Sequence, residues 1–462
     1  MLFCDPIFFL FFSGYFICHQ LMPRNLMVFL AVLGSILFYG YWNPLYIPLP
    51  LIMVIFSYWA ALKINDANES KTKQKLLAVF LIILFCPLVF YKYLNFFINN
   101  ISFVFPRLHL KTFSHSLPLG ISFISFTLAA YLIDICRGRF RVEKDFGTLL
   151  ASVLFFPHLI AGPIVRPSQL IPQLKRWNPS LSSKFNFGGL LFSVGLFKKL
   201  VFADSLAPLV NQAYSQLGNS SSVWSCLMAF YGFTLQIYCD FSGYTDMALG
   251  LSWILGIRLP GNFKRPYVSK SLIEFWRRWH ITLSFWLRDY LYISMGGNRV
   301  GFFAQMRNVM ITMLLGGLWH GANWTFVAWG ALHGLGIIVN HLVPKLCPRI
   351  KLPSILSWFL TLHFVAFGWV FFRAPEFGQA LYVIKGIFSK SWDLSLFPKE
   401  YFFASTLLIL FAFTHRFDRH AFYRLWSTRI PRTVLYLAIL VIILTSFVLS
   451  SGSSAEFIYF DF

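Results

Sequence analysis

Residues 76–96 read LLAVFLIILFCPLVFYKYLNF, twenty-one positions in which Lys92 is the only ionisable group other than two tyrosines and a cysteine. A helix needs about 20 predominantly apolar residues to cross the hydrocarbon core of a bilayer, and this run supplies them without the alternation of a strand. Comparable stretches recur around 3–19, 25–43, 46–62, 117–135, 148–162, 187–211, 223–256, 308–342, 354–372, 401–413 and 433–450. They predict an all-α polytopic membrane protein with about eleven to thirteen spans. A transmembrane barrel would instead show alternating segments of about ten residues. Composition agrees: 57% of 462 residues are hydrophobic and 12% charged, against about 25% charged in soluble domains. The longest polar stretches, KINDANESKTKQK (63–75) and RPSQLIPQLKRWNPSLSSK (166–184), are loops, so residues 1–450 read as one membrane domain without a large soluble appendage.

The formal charge of +22 does not point to nucleic acid, because the basic residues fall between apolar runs and form no aromatic-laced patch. Lys63, Lys71, Lys73 and Lys75 share one loop, Arg137, Arg139, Arg141 and Lys144 another, and Arg416, Arg419, Arg424, Arg429 and Arg432 a third. The positive-inside rule makes these loops cytoplasmic. Residues 433–450 then lead outward and leave the tail 451–462 extracytoplasmic. The first apolar run lacks a basic leader and a small-residue cleavage site, so it reads as a retained helix with its start outside. Seven cysteines include no CxxC pair and sit in or beside apolar runs. Neither a disulfide framework nor a metal site is implied.

Between about 230 and 335 the pattern changes, and charged and aromatic residues interrupt the apolar segments. Ionisable groups at membrane depth are costly and mark functional sites by default. His320 lies in LLGGLWHGANW (314–324), among glycines that permit close approach, with Trp319 and Asn323 beside it as supporting residues. An imidazole titrates near neutral pH and suits general-base work; the plainer reading is a packing histidine. His280, at the end of FWRRWH, is a second candidate, as a proton carrier or as an interfacial polar residue. His333 reads as structural. Around His280, Glu274 and Arg278 share a helical face, and the segment 271–293 suits an interfacial or re-entrant position better than a clean span. Arg277, Arg278 and Arg288 are candidates for holding the phosphates of a cytosolic donor. Their plainer role is to anchor the helix by snorkelling. Asp240 and Asp246, six residues apart, do not share a helical face unless the helix breaks at Ser242-Gly243. They are candidates to orient a catalytic group, bind a cation or, the favoured reading, pair with Lys198 and Lys199. No phosphate-binding loop, dinucleotide fingerprint or serine-nucleophile elbow is present.

Four stretches together, FFPHLIAGPIVRP (155–167), YCDFSGYTDMALGL (238–251), EFWRRWHITLSFWLRDYLYISMGGNR (274–299) and LLGGLWHGANWTFVAWGALHG (314–334), resemble the membrane-bound O-acyltransferase family. The nearest branch resembles the membrane components that O-acetylate bacterial alginate and peptidoglycan. Cys239 and Ser294 depart from the branch pattern, in positions away from the candidate catalytic atoms. The resemblance implies a ring of helices around a thinned centre, where funnels from the two sides nearly meet. It matches the hallmark histidine to His320 and the second histidine to His280. It further implies a cytosolic acyl thioester as donor, acetyl-CoA for this branch, no bound cofactor, the inner membrane as location, and a separate periplasmic SGNH-type protein that esterifies the polysaccharide.

The chain ends SSAEFIYFDF (453–462), an apolar terminus where polar, ill-ordered residues are usual. Its Phe-x-Tyr-x-x-Phe spacing resembles the C-terminal motif of the small protein that accompanies the related teichoic acid D-alanyl transferase. On that likeness Tyr459 is the candidate acyl acceptor, with His320 as its base; the plainer role is an interfacial anchor. Two alternatives stand beside this reading. D-alanyl transfer to teichoic acid would require a carrier protein. A transporter would require two related halves with broken helices, and no internal symmetry is visible.

Overall fold

The computed structural model describes residues 1–177, 182–217, 222–349, 352–389, 391–450 and 457–458, and among them there are helices and connecting turns but no strand. Five helical segments are long and apolar enough to cross a membrane: Arg24–Trp42, Pro44–Asp66, Ser70–Val104, Trp324–Leu346 and Ser354–Arg373. The segment that includes 76–96 runs as 35 helical residues. Four shorter apolar helices are Pro6–Leu21, Ile121–Cys136, Tyr401–Phe417 and Arg432–Val448. The chain is an all-α, multi-pass membrane protein. The remaining apolar runs are interrupted. Residues 187–211 pass through a wide π-helical turn at Lys198–Ala203, and 223–256 through another at Met228–Gly232. The 308–342 run breaks after His320, and the 148–162 run breaks at Phe155. Two of these four interruptions fall at ionisable residues, Lys198–Lys199 and His320, and backbone at membrane depth departs from regular helix only where protein surrounds it.

The chain forms two compact units, Met1–Gly189 with Ala248–Pro260, and Leu190–Met247 with Gly261–Phe462. In the first, the Ile121–Cys136 helix is buried at every position from Ile121 to Ile135. A helix buried on every face belongs in a core rather than at a surface, and this one takes Ser122, Ser125, Thr127 and Asp134 in with it. Phe156 fills the space between Phe8, Phe11, Tyr15 and Phe38, with ring centroids 5.1–6.5 Å away. Its backbone N–H donates to Ser35 Oγ at 3.0 Å. Residues 248–260 are fastened by Gln173, which accepts from Arg258 N at 2.8 Å and donates to Arg258 O at 3.0 Å.

In the second unit the decisive contact is between glycines. The Ser182–Phe197 helix meets the Phe233–Ile254 helix at Gly195 and Gly243. A Cβ on Gly195 would lie 2.6 Å from Gly243 O, and one on Gly243 would lie 2.7 Å from Gly195 O. Small residues at such crossings let helix backbones pack directly, the usual basis of helix association in membranes. Gly243 therefore serves close packing, and the Phe233–Ile254 helix continues through it; the break considered for Ser242-Gly243 does not occur. A second approach joins the Phe302–His320 and Trp324–Leu346 helices, where a Cβ on Gly317 would collide with Phe326 O and one on Gly330 with Met313 O.

Because backbone faces the missing Cβ on both sides, Gly243→Ala must spread the helices, at a cost of about 1–3 kcal/mol. Gly14→Ala, where a Cβ meets nothing within 4 Å, serves as control and is neutral or stabilising by up to about 1 kcal/mol. Thermal unfolding in detergent should separate the two. Equal midpoints would show that the crossing does not depend on Gly243.

Candidate active site

His320 is the last residue of the Phe302–His320 helix, and Asn323 starts the next helix by accepting from Thr325 N at 3.1 Å. The Asn323 amide also donates to Pro375 O at 2.8 Å. Asn323 thus shapes the turn that presents His320. The imidazole is buried and ringed by Trp319, Trp329 and Phe372, with centroids 4.9, 5.0 and 5.1 Å away. The His280 ring lies 6.5 Å from it, centroid to centroid. Trp319 touches both histidines, at 5.9 Å from His280. The two histidines read from the sequence, forty positions apart, therefore share one aromatic enclosure.

His280 is fully buried and adopts φ of +41°, a left-handed conformation uncommon outside glycine. It stands between the Leu272–Trp276 and Ile281–Trp286 helices, so the single helical segment expected over 271–293 is divided there. Asn262 holds the arrangement. Its Oδ1 accepts from Thr282 N at 3.2 Å and from Thr282 Oγ1 at 2.9 Å, and it lies 3.2 Å from His280 Nδ1. A backbone N–H can only donate, so Oδ1 is an acceptor and His280 Nδ1 carries the proton. In the neutral ring the basic nitrogen is then Nε2. Asn262, in a loop with no motif signal, escapes a reading by composition or spacing.

His333 is buried among Trp329, Phe275 and Trp369, and accepts from Trp276 Nε1 at 3.2 Å. Its partners give it a packing role. The three arginines are differently occupied. Arg278 binds Glu274 at 2.6 Å and reaches Lys264 O at 3.3 Å. Arg288 binds Asp289 at 2.6 Å and lies over the Phe285 ring. Arg277 and Arg288 are exposed.

Behind the histidines run two ionic nodes. Lys199 lies 2.7 Å from Asp240 Oδ1 and 2.7 Å from Asp204 Oδ1, all three nearly inaccessible. Lys198 lies 2.8 Å from Asp246 and 2.6 Å from Asp418. Asp246 also contacts His420 Nε2 at 2.8 Å, and Asp418 accepts from the hydroxyls of Tyr238 and Tyr423 at 2.7 and 3.0 Å. Consecutive lysines thus serve aspartates on different faces of one helix. Asp204, Asp418 and His420 carry no sequence signal of their own; "FDRH" at 417–420 looks like an ordinary basic loop.

Residue 458, near the chain terminus, donates from its backbone N–H to Asp240 Oδ2 at 2.8 Å. Phe457 is fully buried against Tyr244 and Phe241, with centroids 4.8 and 5.9 Å away. The Phe241 ring in turn stands edge-on to His280 at 4.7 Å. Tyr459, next in sequence, lies outside the described residues. A separate, largely apolar cavity of about 570 Å³ is lined by Val201, Phe202, Leu407, Phe411 and others, with Lys198 and Asp418 among its few polar groups. Neither His280 nor His320 lines it.

The chain belongs to the membrane-bound O-acyltransferase family, whose model matches residues 46–384. It is an O-acyltransferase by class. Its relatives sharpen the comparison. It is 38% identical over 403 residues to the "Probable alginate O-acetylase AlgI" of Azotobacter vinelandii, covering 86% of this chain and 80% of the relative. It is 39% identical over 407 residues to the peptidoglycan O-acetyltransferase of Helicobacter pylori, covering 81% and 76%. A teichoic acid D-alanyltransferase of Bacillus subtilis is 28% identical over 286 residues, covering 56% of this chain and 69% of the relative.

Removing one member of a buried ion pair strands the other, at a cost of about 3–5 kcal/mol. Lys198→Met leaves Asp246 and Asp418 facing each other without the ammonium and should lower stability by that order. Adding Asp418→Asn to Lys198→Met removes one stranded charge and should recover part of the loss, measured by thermal or denaturant unfolding. A double variant no more stable than the single would remove charge from the explanation.

Proposed function

We propose that this protein passes a short acyl group, acetyl in the first instance, from a cytosolic thioester such as acetyl-CoA to the extracytoplasmic side, for O-acetylation of a polysaccharide. The relatives named for alginate and peptidoglycan O-acetylation cover more of the chain, at higher identity, than the B. subtilis protein named for D-alanyl transfer. Alginate-like exopolysaccharide and peptidoglycan are the acceptor classes that follow. Teichoic acid D-alanylation is the second reading.

In the proposed reaction His320 takes the proton of an attacking hydroxyl while the oxygen bonds to the thioester carbonyl. The carbon–sulfur bond then breaks, and the thiolate leaves and is protonated. His280, oriented through Asn262, is the second histidine of the site. The ring of Trp319, Trp329 and Phe372 suits such chemistry, because water in the enclosure would compete with the hydroxyl for the acyl group. Arg277, Arg278 and Arg288 are proposed to meet the donor's phosphates. Of the three, Arg277 and Arg288 are the more accessible, and Arg278 would first have to share its bond to Glu274.

Tyr459 is the proposed first acceptor. A phenol, with a pKa near 10, is easier to activate than an aliphatic hydroxyl, and its ester is a better donor afterwards. The observation that carries this relay is the docking of Phe457 and Ile458 on Asp240, Phe241 and Tyr244, one aromatic contact from His280. A periplasmic SGNH-type protein is the proposed receiver of the group, and the inner membrane the proposed location, with the tail on the extracytoplasmic side.

General acid–base groups contribute about 10²–10⁴-fold. His320→Ala should therefore reduce polysaccharide O-acetylation to background while the protein stays in the membrane, as read by mass analysis of released sugars; wild-type acetylation would refute the base assignment. Tyr459→Phe retains the ring and removes one oxygen. It should abolish label transfer from radiolabelled acetyl-CoA to the protein as a hydroxylamine-sensitive ester. Normal labelling in that variant would exclude the phenol as carrier, and release of D-alanine instead of acetate from the glycan would favour the second reading.

A further inference from the structure

We propose that Asp240, held by Lys199, together with the pocket between Phe241 and Tyr244, is a recognition site for the chain's own C-terminal segment that reads a main-chain N–H at position 458 and an aromatic side chain at position 457. Here Phe457 has no exposed surface, and Ile458 N–H points at a carboxylate that is itself 2% exposed.

The carboxylate needs two donors, one for each oxygen. Lys199 faces Oδ1 at 2.7 Å, and Ile458 N–H supplies Oδ2 at 2.8 Å. Docking of the tail therefore completes the solvation of a buried charge, and undocking leaves an acceptor oxygen short of its donor in a place where that is costly. Charge strengthens the bond in the same way as at other carboxylate-to-amide contacts. Lys199, shared with Asp204 at 2.7 Å, fixes where Oδ1 points and so where Oδ2 points. Asp240 and Lys199 are thus positioning residues, acting on whatever follows Ile458 rather than on the acyl group.

The two halves of the site select differently. At 457 the pocket is built from two aromatic faces, so shape decides and a large ring is required. At 458 only the backbone is read, so the side chain, half-buried, is replaceable, but the residue must own an N–H. Proline is the one natural residue without it. The rule is a contrast: Ile458→Ala is tolerated and Ile458→Pro is not.

The effect on acyl transfer rests on the relay reading above; the docking itself does not, and two readouts on the full-length protein separate them. Hydrogen–deuterium exchange of the C-terminal peptide, followed by mass spectrometry in detergent, reads docking. We expect slow exchange in the wild type and in Ile458→Ala, and exchange at least tenfold faster in Phe457→Ala and in Asp240→Ala. Phe457→Ala and Ile458→Pro alter only the tail, so they remain informative where Asp240→Ala fails to fold. Unchanged protection in Phe457→Ala would overturn the site. Incorporation of acetyl label reads the relay: Ile458→Pro, with its phenol intact, should lose at least tenfold, whereas Ile458→Ala should stay within twofold of wild type. Equal labelling of the Pro and Ala variants would overturn the positioning role. Loss of protection in Phe457→Ala without effect of Tyr459→Phe on labelling would keep the docking site and discard the relay.

Discussion

The architecture around the histidines depends on the contact of Gly195 with Gly243, where the two backbones meet without a side chain between them. The approach brings the turn at Lys198–Ala203 against the Phe233–Ile254 helix, with a Gly243 Cβ position 3.0 Å from Lys199 N. Only at that separation do two consecutive lysines reach Asp240 and Asp246. Buried ion pairs contribute little net stability, because desolvation offsets most of the attraction. Their value here is register: a helix displaced by one turn would leave charges stranded, so misaligned packings are penalised more heavily than the native one is rewarded.

The same logic governs His280. A non-glycine residue at positive φ costs on the order of 1–3 kcal/mol and persists only where its surroundings over-determine it. Asn262 provides part of that determination, by binding the imidazole and both donors of Thr282 with one oxygen. Phe241, edge-on at 4.7 Å, limits the ring from another side. Because Phe241 also packs against Phe457, one aromatic residue lies between Phe457 and the histidine.

Much of this was legible in the sequence. Apolar runs identified a helical membrane protein, since bilayer thickness fixes the length of a crossing helix. The pairing of Glu274 with Arg278 followed from their four-residue spacing, and that of the Asp240 and Asp246 helix with Lys198 and Lys199 from the scarcity of charge at membrane depth. His280 and His320 stood out for that same reason. What the sequence concealed was any property set by contact between distant segments. Gly243 looked like a helix breaker because a glycine's local effect is flexibility, whereas its use here is the absence of a Cβ opposite Gly195. Asn262 and Asp418 sit in unremarkable loops and acquire their roles from the side chains they meet. The division of 271–293 at His280 was hidden because the local pattern is helical and the strain at that residue is imposed by tertiary contacts.

The two ionic nodes also bear on distance. Asp240 and Asp246 are six residues apart on one helix, a rise of about 9 Å. Asp246 and its neighbour Lys198 hold His420 and Asp418, at the head of the arginine-rich segment, while Asp240 holds Ile458, beyond the Arg432–Val448 helix. That helix alone has 17 residues, a length of about 26 Å. Chain segments from the two flanks of the last apolar helix therefore converge on two neighbouring turns of a single helix. In the charge-based topology those flanks face opposite sides of the membrane. Phe241, from the turn that carries Asp240, is in contact with His280. A tail covalently joined to the helices it meets reaches that turn at high effective concentration, so its contact with Asp240 requires no second molecule.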